Sequence, residues 1–428
     1  MKRRVAITGL GVVSSIGNDV ATFWDSLMQG RSGIGHVTRF DASRIDSKVA
    51  AEVKNFDSTA YIDKKEAKKM AAFAQFAVVA AVQAWRDAGL PEPREGGEET
   101  ARRAEGPYDA DRIATVMGNG IGGLDIFVES HRKLMEAGPM RMHPLTVPLM
   151  IMNEAAGNIA MRLGLHGPAF TQVTACASST DSIGQALDMI RSGRCDMVVA
   201  GGTEASLTEF AMGGFCRLQA LSTAYNDNPT KASRPFDAGR DGFVLGEGAA
   251  VLILEEWDNA KARGARIYAE LAGYGATCDA YHLTAPDPSG SDGARAIRLA
   301  IEDAGLKPED IGYFNAHGTS TQINDPTETK MIKEAFGAHA RKLKVSSTKS
   351  MTGHMLGAAG AIEILACVKV IAEGWVPPTI NLDNPDLAAG CDLDYVPNKA
   401  QKVRVDAAAS SSLGFGGHNG VLVVRRAR

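Results

Sequence analysis

The sequence has few cysteines and lacks the spacings that would give them a structural role. Its 428 residues include six cysteines, with no CxxC pair and no Cys/His spacing typical of zinc. We therefore expect reduced thiols in a cytoplasmic protein, and no metal site. The six are Cys176, Cys195, Cys216, Cys278, Cys367 and Cys391.

An excess of positive charge is also missing, because 50 acidic residues balance 46 basic ones and the net charge is −4. This balance argues against broad electrostatic binding to nucleic acid or to an anionic membrane. Long apolar runs are missing too. The longest, Met70 to Trp85, is interrupted by Gln75 and Gln83 and is shorter than the roughly 20 residues of a membrane span. We predict a core helix there and no membrane partner.

The beginning of the chain lacks the marks of a signal peptide, although basic residues precede an apolar run in "MKRRVAITGLGVVSSIGND". Glycines and serines interrupt the run, and no A-x-A cleavage site follows it. The segment predicts a first β-strand instead.

Strand-like and helix-like runs alternate along the chain, which predicts an α/β protein with a mostly parallel sheet. The first series contains a long helix from about Lys64 to Ala88 and a helix after Cys176, between runs such as "RIATVMG" and "DMVVAGG". After about Ala265 the pattern begins again with "IYAELAGYGA" and ends with "GVLVVRR". We predict two halves of similar design, residues 1–265 and 266–428.

Two segments invite misreading. Residues 91–111, "PEPREGGEETARRAEGPYDAD", are rich in charge, glycine and proline, and predict an exposed loop without catalytic work. The run "GNGIGG" satisfies G-x-G-x-x-G, but the region after it offers neither a second strand nor an acid to hold a ribose. A tight turn that lines some other pocket is the better interpretation.

Cys176 lies in "TQVTACASSTDSIGQALDMI", between a strand-like run and a helical one. The small neighbours Ala175 and Ala177 permit a strained turn, and the start of a helix lowers the pKa of a thiol. This pattern is typical of a nucleophile elbow. The local sequence alone leaves a second interpretation open, a small buried hydrophobe at a tight turn.

Two further loops favour the nucleophile. "NAHGTST" places His317 after the strand-like "IGYFN", and "SSTKSMTGHMLGAAGAIE" places Lys349 and His354 just before a helix. The carboxyl ends of strands are where α/β sheets carry their sites. Two histidines and a lysine in such loops are hard to explain by packing alone.

These motifs carry a resemblance to a known family. "TACASS", "NAHGTST", "STKSMTGH" and "LGFGGHNG" resemble, in this order, the motifs of the β-ketoacyl-acyl carrier protein synthases, most closely the type II elongating synthases of fatty acid synthesis. The similarity runs from about residue 3 to 426 and includes "RPFDAGRDGFVLGEGAAVLILEE" and "VPPTINLDNPD". The loop at 91–111 is longer than the family's usual one.

The resemblance implies the thiolase fold, a five-layer α-β-α-β-α sandwich of two similar halves, usually as a homodimer. It implies that Cys176 accepts an acyl chain from acyl carrier protein as a thioester. His317 and His354 would then face the malonyl thioester, whose decarboxylation supplies the carbanion, and Lys349 would tune the histidines as a fixed charge. The substrate is carried on phosphopantetheine, and no cofactor is expected.

The resemblance also implies supporting roles. The N–H groups of Cys176 and Phe415 resemble an oxyanion hole, and Phe415 also resembles a gate to the acyl pocket. Thr319 and Thr321 would bind the phosphopantetheine arm, and Ile121 would limit chain length. Glu363 resembles a buried structural carboxylate with a monovalent cation nearby, although Ser411 stands where Asn is common.

A basic surface for acyl carrier protein is implied at Lys65, Lys68, Lys69 and Arg141, although Met140 and Gln219 stand where basic residues are often found. A solvated first helical turn explains these lysines equally well.

Other functions were weighed against the elongating synthase. The same residues would serve the ketosynthase of a polyketide or specialised lipid pathway. A degradative thiolase would need a second catalytic cysteine near the C-terminus, and "GFGGHNG" has none. A silent chain-length partner would lack Cys176, and a nicotinamide-dependent reductase depends on "GNGIGG" alone.

Overall fold

A computed structural model describes residues 3–92 and 103–427. Residues 93–102 of the charged loop predicted at 91–111 lie outside the described residues. The strands are β1 (Val5–Ser14), β2 (Gly35–His36), β3 (Val49–Ala50), β4 (Ile113–Gly118), β5 (Ala169–Gln172), β6 (Met197–Glu204), β7 (Gly248–Glu256), β8 (Ala269–Cys278), β9 (Tyr313–Asn315), β10 (Lys344–Ser346), β11 (Trp375–Val376), β12 (Gln401–Lys402), β13 (Ala407–Gly414) and β14 (His418–Arg425).

The α-helices of the described residues differ widely in length. They are α1 (Val20–Met28), α2 (Lys64–Ala67), α3 (Ala72–Asp87), α4 (Leu124–Ala137), α5 (Thr146–Met150), α6 (Glu154–Leu163), α7 (Ser178–Arg191), α8 (Glu209–Arg217), α9 (Trp257–Ala262), α10 (Ser291–Asp303), α11 (Asn324–Phe336), α12 (Lys349–Thr352) and α13 (Ala359–Glu373). None of these helices combines the length and the apolar character that a bilayer span requires.

Ten strands form one continuous sheet, in the order β10-β9-β13-β14-β8-β1-β7-β6-β4-β5. The sheet divides at the β8–β1 contact, where only three residue pairs join the two parts. Numbered within its own part, each side has the strand order 3-2-4-5-1. The two halves therefore repeat one topology, with the first strand of each meeting at the centre.

Helices cover both faces of each half-sheet. The first half-sheet carries α3 and α6 on its outer face, and the second carries α10 and α11 on its outer face. Helices α7 and α13 contact each other and strands of both half-sheets. The five layers implied by the family resemblance are therefore present. Three apolar clusters fill the spaces between them, one central and one beneath each outer layer.

The central helices approach each other very closely. A Cβ added to Gly360 on α13 would lie 2.0 Å from the Thr180 hydroxyl on α7. That hydroxyl also hydrogen-bonds Ser412 of β13 at 2.7 Å. Small and hydroxyl residues therefore let the halves meet at the level where both helices begin.

Two sequence predictions about the elements are wrong. The sheet is mixed rather than mostly parallel, because β1, β7, β8 and β14 pair only in antiparallel fashion. The helix predicted from Lys64 to Ala88 is two helices, α2 and α3, separated at residues 68–71. Hydrophobic periodicity indicates which face of an element is buried, but it contains no information about strand direction.

The parallel strands position the loops that matter for function. β4, β5 and β6 run parallel in the first half, as do β9, β10 and β13 in the second. Their carboxyl ends are followed by Ile121, Cys176 and Ala205 in one half and by His317, Lys349 and Phe415 in the other.

Candidate active site

Cys176 sits on a strained turn between β5 and α7. Ala175, just before it, has φ +52°, a left-handed conformation that a residue with a side chain rarely adopts. The Ser178 hydroxyl donates to the Ala175 carbonyl at 2.7 Å and accepts the Thr174 N–H at 2.9 Å. One side chain thus closes the turn and holds Cys176 at the beginning of the helix.

The two histidines converge on the thiol from the other half. His354 Nε2 lies 3.0 Å from Cys176 Sγ. The rings of His317 and His354 are nearly perpendicular, with centroids 5.2 Å apart. One potential ligand atom from each of the three residues lies within 4.8 Å of the others. The thiol and both imidazoles can therefore face one small substrate group.

Lys349 connects this cluster to a buried carboxylate. It begins the short helix α12, and its Nζ lies 3.4 Å from His317 Nδ1. The same ammonium group forms an ion pair with Glu363, and both side chains are almost fully buried. Because an ammonium group can only donate, it meets the lone pair of His317 Nδ1, and the neutral imidazole then carries its proton on Nε2.

Glu328 is part of the site, although the sequence analysis did not single it out. Its carboxylate on α11 accepts the N–H groups of His317 and Gly318, both at 2.7 Å. It also accepts the Ser411 hydroxyl at 2.7 Å. The carboxylate therefore fixes the backbone that carries His317. The sequence signal that could have identified Glu328 is its position eleven residues after His317, on the next helix.

Burial sets the protonation states of the cluster. It raises the pKa of the Cys176 thiol to about 12, against the opposing effects of the Lys349 charge and the Phe415 N–H. Burial, with the Lys349 charge, also lowers the pKa of His317 and of His354 well below the usual value. The resting site thus holds a thiol and two neutral imidazoles. The pKa lowering predicted from the helix start is outweighed by burial.

A cavity of about 450 Å³ opens over the cluster. Ile121, Thr319, Thr321 and Phe415 line it, together with Cys176 and both histidines. The two threonine hydroxyls lie 3.1 Å apart. The structure therefore brings all of the substrate residues expected from the sequence to the same cavity as the thiol.

The backbone around Phe415 faces the thiol directly. The Phe415 N–H favours the thiolate and so lowers the pKa of Cys176, against the larger effect of burial. A Cβ added to Gly414 would lie 2.6 Å from the Thr174 carbonyl and 3.4 Å from the Cys176 nitrogen. Glycine at this position leaves the space above the nucleophile turn open.

Several buried oxygen atoms on α13 and on the strands that it contacts, β9 and β13, have no hydrogen-bond partner within the described part of the chain. They include Glu363 Oε2, Asn315 Oδ1 and Ser410 Oγ. Ser410 and Asn315 are register partners on β13 and β9. Hard oxygen donors that include a carboxylate suit a cation, so the chemistry of these residues fits the expected monovalent ion. Ser411, the departure noted in the sequence, instead bonds Glu328.

The expected docking residues lie away from the cavity. Lys65, Lys68, Lys69 and Arg141 are all exposed. None of the four lines the cavity. The glycine-rich run behaves as predicted, because Gly120 and Ile121 line the cavity and the helix after it begins at Leu124.

Comparison with known proteins now decides the family. The model of the β-ketoacyl synthase N-terminal domain matches residues 2–260, and that of the C-terminal domain matches residues 268–383. The chain belongs to the β-ketoacyl synthase family. It is 50% identical to a 3-oxoacyl-[acyl-carrier-protein] synthase 2 of Synechocystis, over 99% of this chain and 98% of the relative. The corresponding Coxiella burnetii protein is 48% identical, over 99% of both.

Solved structures of the same fold belong to ketosynthases. A chain from a type II polyketide acyl-carrier protein complex with its ketosynthase superposes with a TM-score of 0.89 at 34% identity, over 100% of both chains. A β-ketoacyl synthase from Burkholderia phymatum gives 0.89 at 35% identity, also over 100% of both. The thiolase fold expected from the motifs is confirmed.

Proposed function

We propose that this family member condenses an acyl chain held on Cys176 with the two-carbon unit of malonyl-acyl carrier protein, releasing CO2. The observation that carries the proposal is the 3.0 Å contact between Cys176 Sγ and His354 Nε2 at the cavity. The 50% identity to a 3-oxoacyl-[acyl-carrier-protein] synthase 2 favours fatty acid elongation.

The first half-reaction is acyl transfer to Cys176. The sulfur attacks the incoming thioester carbonyl, the bond to the pantetheine sulfur breaks, and the thiol proton ends on the departing pantetheine thiol. Because burial keeps Cys176 protonated at rest, the proton must leave as the sulfur attacks. The N–H groups of Cys176 and Phe415 receive the oxyanion, above the space that Gly414 leaves open.

The second half-reaction uses both histidines as hydrogen-bond donors. His354 Nδ1 is buried without a partner among the described residues, and an orphaned lone pair is less costly than an orphaned N–H. We therefore assign the His354 proton to Nε2, as for His317. Both N–H groups can then stabilise the enolate oxygen that forms when malonyl thioester loses CO2. The enolate carbon attacks the acyl carbonyl, the C–S bond breaks, and the Cys176 thiolate takes up one proton from solvent, which restores the thiol.

The surrounding residues hold this arrangement. Lys349 keeps the proton of His317 on Nε2, and Glu363 compensates the buried ammonium charge. Glu363, Asn315 and Ser410 are the residues that would hold a monovalent cation. Such an ion would supply structural charge compensation, and the reaction as proposed consumes no cofactor.

Substrate recognition follows the cavity lining. Thr319 and Thr321 would hydrogen-bond the pantetheine arm, Ile121 would limit the depth available to the acyl chain, and Phe415 would gate access to it. Lys65, Lys68, Lys69 and Arg141 offer exposed positive charge to an acidic carrier protein.

We also propose that the protein forms a homodimer through the β5 end of the sheet. β5 ends the ten-stranded sheet, and an open strand edge favours pairing. The chain segments that precede and follow β5 carry exposed apolar side chains. These are Phe127, Val147, Met161 and Val173. We propose in addition that the chain consists of two structural units, residues 1–265 and residues 266–428.

A condensation assay tests the function. Purified protein is incubated with malonyl-acyl carrier protein and acyl-carrier proteins from short to long, and CO2 and 3-ketoacyl product are measured. Product with saturated acyl chains supports fatty acid elongation. Product only with poly-β-ketone chains would favour the polyketide ketosynthase that the solved structures suggest. No product at any length would contradict the proposal.

A further inference from the structure

A third buried carboxylate, besides those of Glu363 and Glu328, lies beside the cavity and has no part in the mechanism above. Glu204 ends β6 and is fully buried. Its Oε2 accepts the N–H of Gly120 at 2.9 Å and the N–H of Gly357 at 3.1 Å. One oxygen atom therefore joins two chain segments that are far apart in sequence.

Each of these segments forms part of the cavity wall. Ile121 follows Gly120 directly, and its N–H also stabilises the Glu204 carboxylate. Leu356 precedes Gly357, has φ +43°, and lies two residues after His354. Ile121 and Leu356 both line the cavity over Cys176. Glu204 thus holds the acyl-pocket wall against the segment that carries a histidine.

The packing at this junction leaves no spare room. A Cβ on Gly120 would lie 2.6 Å from Glu204 Oε2, and one on Gly357 would lie 2.3 Å from the Gly120 nitrogen. A Cβ on Gly202, two residues before Glu204, would lie 2.7 Å from the Gly357 carbonyl. The segments are therefore as close as backbones allow, and a shift in one is transmitted to the other.

A carboxylate is a costly way to make this junction. Burial raises the pKa of Glu204 to about 7, and its Oε1 has no hydrogen-bond partner within the described residues. An uncharged acceptor would satisfy the same N–H groups with a smaller desolvation cost. A role beyond simple packing is consistent with this cost.

We propose that Glu204 is a positioning residue for substrate selection, which sets the separation between Ile121 and the Leu356–His354 segment and thereby limits the acyl chain that Cys176 accepts. The proposal rests on the proposed function, because it deepens the role of the same cavity. Without the bridging oxygen, the Ile121 loop can move away from Leu356 and the pocket becomes deeper.

The test is acylation of Cys176 by a series of acyl-carrier proteins from short to long, followed by intact-protein mass spectrometry. For Glu204→Ala we expect the ratio of long-chain to short-chain acylation to rise by about tenfold. Glu204→Gln should retain the wild-type ratio, because its amide oxygen can accept both N–H groups. Glu204→Asp, one methylene shorter, should resemble the alanine variant and carries the test if that variant does not fold.

Glu255→Gln is the matched control, because Glu255 is equally buried but lies on β7 and bonds Arg263, Tyr108 and Thr8. It should lose stability without changing the chain-length ratio. The proposal would be overturned if the chain-length ratio were unchanged in both Glu204→Ala and Glu204→Asp, or if neither variant folded. Either result would mean that the carboxylate has a structural role only. Absence of acylation in the wild-type protein at every length would instead contradict the proposed function.

Discussion

The two halves share a strand order but contribute different chemistry at equivalent loops. The loop after the third strand of the first half carries Cys176, whereas its counterpart in the second half carries Lys349 and His354. The loop after the second strand carries Ile121 in one half and His317 in the other. The first half therefore supplies the nucleophile, the second supplies the histidines and the lysine, and both contribute apolar lining such as Ile121 and Leu356.

This difference teaches how a repeated fold builds an asymmetric site. The fold determines where the loops meet, and the side chains determine which bonds are made there. Neither half alone contains a complete site. The first half has a thiol without the histidines, and the second half has the histidines without a nucleophile. Variants that affect one half selectively can test this division.

The largest effect is expected from removing the contribution of the first half. Cys176→Ala should abolish both acyl-enzyme formation and condensation, by at least about a thousandfold, because no other thiol lines the cavity among the described residues. Mass spectrometry of the protein after incubation with acyl-carrier protein measures the adduct. An adduct on another cysteine would refute the assignment.

Removing the contribution of the second half should separate the two reactions. His317→Ala and His354→Ala each remove an N–H donor to the enolate, so decarboxylation should fall about a hundredfold or more while acylation of Cys176 falls less. CO2 release and acyl-enzyme formation are measured on the same samples. A larger loss in acylation than in decarboxylation would show instead that the histidines activate the thiol.

Removing one partner of the buried Lys349–Glu363 ion pair should lower the stability of the protein. Lys349→Met leaves Glu363 buried without its charge partner, and we expect a loss of about 3–5 kcal/mol in the free energy of unfolding. The double variant Lys349→Met/Glu363→Gln should recover part of that loss. Equal stability of the single and double variants, measured in urea, would contradict a coupled pair.

The buried carboxylate of the first half should make stability depend on pH. Burial raises the pKa of Glu204 from 4.5 to about 7, so the folded state keeps a proton that the unfolded state releases. Its contribution is therefore complete below about pH 4.5 and is lost as the pH rises through about 7, a loss of about 3 kcal/mol. Urea unfolding of the wild type and Glu204→Gln should diverge across this range. Parallel pH curves would show that Glu204 has a normal pKa.

The smallest effect should come from the exposed lysines. Reversing Lys65, Lys68 and Lys69 to Glu should raise KM for acyl-carrier protein by about tenfold, more at low salt, with kcat little changed. The control reverses three exposed lysines of the second half, Lys342, Lys399 and Lys402, so that the change in net charge is the same. Equal effects of the two variants would mean that only net charge matters.

The chemistry was more predictable from sequence than the support around it. Small residues around Cys176 and the strand-end loops of His317 and His354 are local signals, and the structure places these residues together. Glu204 gave no local signal, and the only signal for Glu328 was its position eleven residues after His317. Glu204 receives its N–H groups from residues 84 and 153 positions away, a relation that only the folded chain creates.

The fold shows the same limit. β13, "AAASSSLG", has residues with low strand propensity, yet it is a central strand because it is buried between β9 and β14. Packing overrides propensity there. The antiparallel strands were missed for a related reason, since alternation of buried residues is identical in either direction.

The contact between Gly360 and Thr180 has a consequence for how accurately the reacting atoms can be aligned. Cys176 precedes one central helix and His354 precedes the other, so the relative position of these helices sets the distance between sulfur and imidazole. That position is available only because residue 360 has no side chain. The alignment of the catalytic atoms thus depends on the lack of a side chain at Gly360, a residue that does not line the cavity.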